Sequence, residues 1–303
     1  PREVIEDIFS RVAQATMGLN RYPDRDFESL RVAFAKYLGH GLTFEQIWAA
    51  NGSNEVLQHI FQAFGGTGRK AIGFGPTYSM YPLIAAGMNT EYLNVARLDR
   101  YELTPDHVRA QIVEHKPNIV LLCSPNNPTG TPLSLDCVIA AYEAVSQTTG
   151  GIVVVDEAYA EFAADGAESA IKLLAGRERL LVSRTMSKAF AFAGARVGYL
   201  AADPAVVDAL MLVRLPYHLS AFTQAAAEGA LAHAAVMLST VDDIRAQRDR
   251  IVTELKLMGL DPYRSDANFV LFGGDGFAKR SFCVDTDAIK ENGVCLGDLL
   301  RGC

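Results

Sequence analysis

The chain has 303 residues, of which 50% are hydrophobic, 9% aromatic and 21% charged. This composition excludes disordered and fibrous proteins, and the length suffices for one large domain or two modest ones. The net charge of −7 provides no basic surface for nucleic acid. The longest apolar runs, at residues 119–123 and 151–155, are far shorter than the roughly 20 residues that span a bilayer. We therefore expect neither nucleic acid nor a membrane among its partners.

The cysteines and the first residues indicate the cellular compartment. Five cysteines are an odd number, and none of them forms a C-x-x-C pair. This pattern favours reduced thiols over a disulfide framework or a zinc site, so no metal is expected. The first residues lack the basic head and apolar run of a secretory signal. We expect a cytoplasmic protein.

Apolar residues at helical spacing predict two helices at the start of the chain, over residues 4–12 and 27–38. From there helices and short apolar runs alternate. The next helices are predicted at 54–64, after Pro76, after Pro105, at 134–146 and at 167–174. The strands are predicted at 71–74, 91–95, 119–123, 152–155, 180–183 and 197–201.

Strands that are almost entirely Val, Ile and Leu, separated by helices, indicate an α/β fold whose mostly parallel sheet is covered on both faces. Ligands of such sheets bind beyond the carboxyl ends of the strands. After residue 204 the pattern becomes helical, with a periodic stretch over 236–258 and a strand-like run over 268–272. We predict three parts: an N-terminal helical segment (1–40), a large α/β domain (41–235) and a partial, small α+β domain (236–303).

Several common catalytic motifs are absent from the sequence. It contains no G-x-S-x-G and no H-E-x-x-H, and the run GGTGRK from Gly65 lacks the ending of a P-loop. Hydrolase, zinc protease and NTPase functions therefore lose support. Four loops remain that follow a predicted strand or begin a predicted helix: NGSNE at Asn51, SPNNPTG at Ser124, DEAY at Asp156 and SRTMSKAFAFAGARVGY at Ser183.

Two of these loops carry residues that match the reactive parts of pyridoxal phosphate. This cofactor has an aldehyde, a pyridine nitrogen that must stay protonated, a phenolate oxygen and a phosphate. Lys188 follows a predicted strand and is our candidate for the Schiff base with the aldehyde. Asp156 follows another strand and is our candidate partner of the nitrogen. Taken singly, a lysine is usually a solvated surface charge and an aspartate here often caps a helix.

The other parts of the cofactor also find partners. Asn127 and Tyr159 can donate hydrogen bonds to the phenolate oxygen, and Tyr78 can stack on the ring. A phosphate requires a helix N-terminus, small residues and a cation. The sequence offers these in Gly52, Ser53, Asn54, Thr185, Ser187 and Arg196. Considered alone, each of these residues could equally be a helix cap, a turn residue or part of the core. The prediction of a cofactor site therefore depends on their occurring together in one sequence.

At these residues the sequence resembles the fold-type I aminotransferases, and in particular the histidinol-phosphate aminotransferases of actinobacteria. The resemblance extends over residues 1–272. It is carried by NRYPD at Asn20, WAANGSNEVLQ at Trp48, PTYSMYP at Pro76, SPNNPTG at Ser124, VVDEAYAEF at Val154, RTMSKAFAFAGARVGY at Arg184 and RLPYHLSAFTQAAA at Arg214. The last of these favours histidinol phosphate over the substrates of aromatic-acid relatives.

The resemblance implies a role for each candidate residue. Lys188 would bind the cofactor covalently, Asp156 would pair with the pyridine nitrogen, and the remaining candidates would hold the phenolate oxygen, the ring and the phosphate. Tyr22 would reach the cofactor phosphate of a neighbouring subunit, which implies a homodimer with shared sites. The implied reaction moves an amino group between L-histidinol phosphate and 2-oxoglutarate in histidine biosynthesis.

The sequence departs from the family pattern at both ends. An Asn-Glu-Asn-Pro segment is expected before residue 1, and a strand whose arginine binds the substrate carboxylate is expected after residues 293–300; neither is found. We therefore expect a chain truncated at both ends. Arg301 is then the nearby candidate for the missing arginine, and we expect it to support the reaction with 2-oxoglutarate poorly, because it lies two residues from the terminus.

Three alternatives stay open on the sequence alone. An aromatic amino-acid aminotransferase has the same cofactor loops. So does a pyridoxal-phosphate-dependent lyase such as threonine-phosphate decarboxylase. The third alternative is a non-catalytic remnant that binds cofactor without turnover.

Overall fold

A computed structural model describes residues 2–274 and the backbone of residues 277–283. Arg301 and the segment 293–300 lie outside the described residues. The α-helices are α1 (Arg2–Thr16), α2 (Glu28–Leu38), α3 (Ser53–Phe64), α4 (Met80–Gly87), α5 (Pro105–His115), α6 (Leu135–Thr148), α7 (Pro204–Val213), α8 (Ala221–Ala232), α9 (Ala234–Met237) and α10 (Val241–Leu257). The strands are β1 (Ile47–Ala50), β2 (Lys70–Gly75), β3 (Glu91–Ala96), β4 (Ile119–Cys123), β5 (Ile152–Asp156), β6 (Leu180–Thr185), β7 (Gly198–Ala201), β8 (Asp261–Pro262), β9 (Phe269–Gly274) and β10 (Phe277–Cys283).

The main sheet has seven strands in the order β1-β7-β6-β5-β4-β2-β3. Strands β3, β2, β4, β5 and β6 pair in parallel, whereas β7 pairs antiparallel to both β6 and β1. The prediction of a mostly parallel sheet between helices is therefore confirmed. A second sheet, β10-β9-β8, is antiparallel.

The central strands are apolar because both of their faces are covered. Every residue of β4 and β5 is buried, although neighbouring side chains of a strand point to opposite faces. Helix α6 packs against β4 and β5, and α3 packs against β6 and β7. The parallel register of β4, β5 and β6 brings their carboxyl ends to one edge of the sheet, where Cys123 pairs with Asp156 and Asp156 with Ser183.

Two predicted helices differ from the structure. Residues 167–174 contain only a short 3-10 turn, Ala170–Leu173, because the carboxylate of Glu157 accepts hydrogen bonds from the Ala170 amide and the Ser169 hydroxyl. The stretch 236–258 is interrupted between α9 and α10, where the Ser239 hydroxyl donates to the Val236 carbonyl and so competes with helical hydrogen bonding. Strand β1 was not among the predicted strands.

A buried ion network joins β6 to the segment that follows β5. The guanidinium of Arg184 contacts Glu157 at 2.8 Å and Glu161 at 3.2 Å, and all three side chains are largely buried. The Tyr37 hydroxyl, from α2, also donates to Glu161. Burial raises the pKa of Glu161, whereas Arg184 opposes that effect. A single cation therefore compensates two buried carboxylates.

We predict that Arg184→Met lowers the free energy of unfolding by about 3–5 kcal/mol, because removing one partner leaves buried charge uncompensated. Denaturant unfolding of the purified protein measures the change. Lys172→Met is the matched control, since Lys172 and Glu168 form an exposed pair whose loss costs no more than about 1 kcal/mol. Equal decreases in the free energy of unfolding of the two variants would contradict the large contribution that we assign to the buried network.

Candidate active site

A cavity opens where β4, β5 and β6 end, as the α/β topology predicts. Its volume of about 190 Å³ is below the roughly 300–1,000 Å³ of sites for drug-sized ligands, so it suits a compact ligand. It is lined by Ser53, Asn54, Tyr78, Cys123, Asn127, Asp156, Ala158, Tyr159, Thr185, Ser187, Lys188 and Arg196. All the site residues predicted from the sequence belong to this set except Gly52 and Tyr22.

One wall of the cavity carries groups that suit an anion. Helix α3 begins at Ser53, and Gly52 precedes it with φ 86°, a conformation that favours glycine. The Arg196 guanidinium lies so close to Gly52 that a Cβ there would come within 2.4 Å of its Nη2. Thr185 donates a hydrogen bond of 3.0 Å to Ser187 beside them. The free amides of the first helical turn and the guanidinium together favour a bound anion.

A second wall of the cavity carries a buried carboxylate. Asp156, the last residue of β5, accepts a hydrogen bond of 2.8 Å from the Tyr81 hydroxyl and one of 3.3 Å from the Ser183 hydroxyl. Burial raises the pKa of Asp156, and these two donors act in the opposite direction. Cys123 lies beside it on β4, and burial raises the pKa of that thiol to about 12, so the thiol stays neutral.

Lys188 also lines the cavity and belongs to the loop after β6. Its Nζ is 5.4 Å from the centre of the Tyr159 ring. The Asn127 amide donates a hydrogen bond of 3.1 Å to the Tyr159 hydroxyl. The structure therefore brings together an amine, a phenol and an amide donor from three loops that are distant in sequence.

Tyr78 precedes α4 and connects the two walls. Its hydroxyl donates a hydrogen bond of 2.9 Å to the Asn54 side chain in the first turn of α3. Its ring packs edge-on against Tyr81, with ring centres 5.5 Å apart. Burial raises the pKa of Tyr78, so its hydroxyl stays protonated and donates.

Tyr22 is absent from the lining of the cavity of its own chain. Its side chain is 79% exposed, and its ring stacks on Tyr217 with centres 4.6 Å apart. Tyr217 belongs to the RLPYHLS motif, in which Leu219 is buried whereas Leu215 is exposed. There Arg214 lies over the Trp48 ring and bonds Asp26, and His218 stacks on the other side of the same cluster.

Sequence reasoning missed three residues that shape the site. Tyr81 and Ser183 bond Asp156, as described above, and Asn126 fixes the proline-rich loop. The Asn126 side chain donates to the Pro76 carbonyl at 2.9 Å and accepts from the Thr77 hydroxyl at 2.8 Å. A signal existed for Tyr81, because it lies three residues after Tyr78 at the start of a predicted helix and so shares its face.

Within residues 2–274, no cluster of three or more His, Cys, Asp and Glu side chains could hold a metal ion. No helix in the described part of the chain has both the length and the apolar composition to cross a membrane.

The family model for aminotransferase class I and II matches residues 1–294. The chain belongs to this aminotransferase family. The match includes all four loops that form the cavity. The cavity at this sheet edge is lined by a lysine, a buried carboxylate and an anion-binding helix end.

Individual members of the aminotransferase family are similar over most of the chain. A histidinol-phosphate aminotransferase of Paenarthrobacter aurescens is 63% identical over 274 residues, which are 90% of this chain and 73% of the relative. One from Thermobifida fusca is 56% identical over 89% of this chain and 73% of the relative. The crystal structure of histidinol-phosphate aminotransferase from Sinorhizobium meliloti in complex with pyridoxal-5'-phosphate superimposes with a TM-score of 0.79 at 27% identity, covering 88% of this chain and 71% of that one.

We predict that Gly198→Ala disrupts the anion-binding wall. A Cβ at Gly198 would lie 2.2 Å from the Ser53 amide nitrogen and 2.3 Å from the Gly52 carbonyl carbon, both of them backbone atoms. The free energy of unfolding should therefore fall by about 1–3 kcal/mol or more. Gly194→Ala is the control, because a Cβ there meets no atom within 4 Å. Denaturant unfolding that ranked the two variants equally would show that the wall is not closely packed.

Proposed function

We propose that this chain is a pyridoxal-phosphate-dependent aminotransferase that moves an amino group between L-histidinol phosphate and 2-oxoglutarate in histidine biosynthesis. The observation that supports this most directly is a single cavity that holds Lys188, Asp156 and an anion-binding wall. The relatives at 63% and 56% identity, both named histidinol-phosphate aminotransferase, support the substrate. The match to a structure that contains pyridoxal-5'-phosphate supports the cofactor.

The residues of the cavity fit this cofactor. A buried carboxylate, an anion-binding helix end and an amine all line one cavity. The close approach of Arg196 to Gly52 leaves a cradle that any side chain at position 52 would fill. Pyridoxal phosphate, when bound, supplies an aldehyde for amines and a cationic ring that withdraws electrons.

Lys188 contributes the amine to this chemistry. It is the lysine that lines the cavity, and we assign to its Nζ the covalent bond with the cofactor aldehyde. With its Nζ not bound to the cofactor, Lys188 would be able to take a proton from the substrate carbon and return it. Asn127 and Tyr159 would donate hydrogen bonds to the phenolate oxygen, which lowers the proton affinity of the nearby nitrogen.

Asp156 and the anion-binding wall would hold the two ends of the cofactor. The Asp156 carboxylate would pair with the protonated pyridine nitrogen, in a buried position where a charge pair is strong. Gly52, Ser53 and Asn54 would present the α3 N-terminus to the phosphate, where Thr185, Ser187 and Arg196 add hydroxyls and a guanidinium. Tyr78, bonded to Asn54, would cover one face of the ring.

We predict that the chain reconstituted with pyridoxal phosphate reacts faster with histidinol phosphate than with phenylalanine or threonine phosphate. Stopped-flow absorbance of the half-reaction and product analysis measure the preference. Lys188→Ala should lose the visible absorbance of lysine-bound cofactor, and borohydride reduction followed by peptide mapping should place the cofactor on Lys188 in the parent chain. Preference for phenylalanine would support an aromatic aminotransferase. Release of CO₂ from threonine phosphate would support a lyase.

We also propose a homodimer in which Tyr22 serves the partner's site. The exposure of Tyr22 and its position outside the cavity of its own chain support this. Its neighbours in sequence and space include other exposed apolar side chains, such as Met17 at 86% and Leu215 at 78%. Exposed apolar surface of this kind is typical of an interface between subunits.

Mixing Lys188→Ala chains with Tyr22→Ala chains should restore part of the activity that each variant lacks. In a hybrid dimer, one site then has both native residues. The matched control mixes Lys188→Ala with Asp156→Ala, because both of these residues belong to the cavity of the same chain and no hybrid site regains both. Proven subunit exchange without recovery in the first mixture would rule out the contribution of Tyr22 to the partner.

A further inference from the structure

Asp156 is held by the protein's interior at both of its carboxylate oxygens. The Tyr81 hydroxyl donates to Oδ2 at 2.8 Å, and the Ser183 hydroxyl donates to Oδ1 at 3.3 Å. Tyr81 has no exposed surface and is absent from the residues that line the cavity. Its hydroxyl therefore contacts the carboxylate from within the protein, and Tyr81 itself does not contact a ligand in the cavity.

We propose that Tyr81 is a positioning residue that fixes the orientation and the negative charge of Asp156 for a cationic ring nitrogen. This inference rests on the proposed function, because it concerns the residue assigned to that nitrogen. The physical reason is that a phenol donates one strong hydrogen bond to an ionised carboxylate and thereby stabilises the ionised form over the neutral one.

The surroundings of Asp156 make such a donor necessary. Burial is the largest influence on its pKa and raises it, and the charge of Glu157 acts in the same direction. Among the effects that lower the pKa, the hydrogen bond from Tyr81 is the largest, ahead of those from the Ala158 amide and Ser183. A carboxyl that became neutral could not pair with a cation.

The other titratable groups around Asp156 do not replace Tyr81. On β4 the Cys123 thiol stays neutral, since burial raises its pKa to about 12. Tyr78 bonds Asn54 and not Asp156. Lys188 lines the cavity, and its nitrogen lies over the Tyr159 ring.

Tyr81 also connects Asp156 to the anion-binding wall, through Tyr78. It is the second residue of α4, and its ring packs edge-on against Tyr78, which bonds Asn54 at the start of α3. The segment that begins α4 therefore contacts the carboxylate with one tyrosine and the anion-binding wall with the other. A ligand that spans the cavity would meet two ends whose separation this segment holds fixed.

The test is Tyr81→Phe in the full chain, which removes one oxygen and keeps the ring. The first readout is the pKa of Asp156 in cofactor-free protein, from the ¹³C chemical shift of its side-chain carboxyl, assigned with Asp156→Asn. Loss of a hydrogen bond to a charged group should raise this pKa by about one unit. Ser183→Ala, which removes the longer bond, should raise it less.

The second readout is the dissociation constant of pyridoxal phosphate as a function of pH. In Tyr81→Phe we expect binding about tenfold weaker near neutral pH, and the acid limb of the profile should move to higher pH with the carboxyl pKa. In the Asp156→Asn background, Tyr81→Phe should have no further effect on affinity, because the charge that it supports is gone.

Tyr92→Phe is the matched control. The Tyr92 hydroxyl is also buried, but it has no hydrogen-bond partner among the described residues, so its removal should leave the Asp156 pKa and the cofactor affinity unchanged. An Asp156 pKa in Tyr81→Phe equal to that of the parent would overturn the proposal. So would an undiminished effect on affinity in the Asp156→Asn background. The carboxyl titration needs neither cofactor nor substrate, so a failure of the proposed function would appear separately, as absent transamination by the parent chain.

Discussion

A buried carboxylate in the middle of a sheet edge is the constraint on which this site depends. Asp156 ends β5 with Cys123 of β4 on one side and Ser183 of β6 on the other. Parallel pairing of these strands places the following loops around it, so the lysine, the anion-binding wall and the proline-rich loop all face one cavity. The ion network of Arg184 joins β6 to the residues that follow β5. A shift in the register of these strands would remove both the carboxylate and its support.

Much of this could be predicted from the sequence because the signals are local. Strands such as β4 and β5 are continuous apolar runs, and helices such as α5 and α6 begin at residues that cap them, Thr104 and Ser134. Most of the residues predicted to hold the cofactor follow a strand of the main sheet or begin α3, whereas Tyr22 lies between α1 and α2, outside the cavity. Their convergence in one cavity is then a consequence of topology and required no knowledge of tertiary contacts.

The features that were missed depend on contacts between distant parts of the chain. The helix predicted at 167–174 is only a short turn, in which the Ala170 amide donates a hydrogen bond to the Glu157 carboxylate 13 residues earlier. The hydrogen bond from Tyr81 to Asp156 joins residues 75 positions apart. Periodicity places Tyr81 in a helix but does not say what its hydroxyl meets. Strand β1 is short, and its pairing with β7 is set by tertiary structure.

The stacked pair of Tyr22 and Tyr217 has a consequence for how two copies of the chain would associate. The pair forms within a single chain, and the loop that carries Tyr217 is anchored by Arg214 and His218 against the buried Trp48. Its rings are therefore ordered before a partner arrives, and association loses little side-chain entropy at this point. Because the anchor is part of the hydrophobic core, only a chain that has finished folding would present this surface, and the proposed dimer would form from folded subunits.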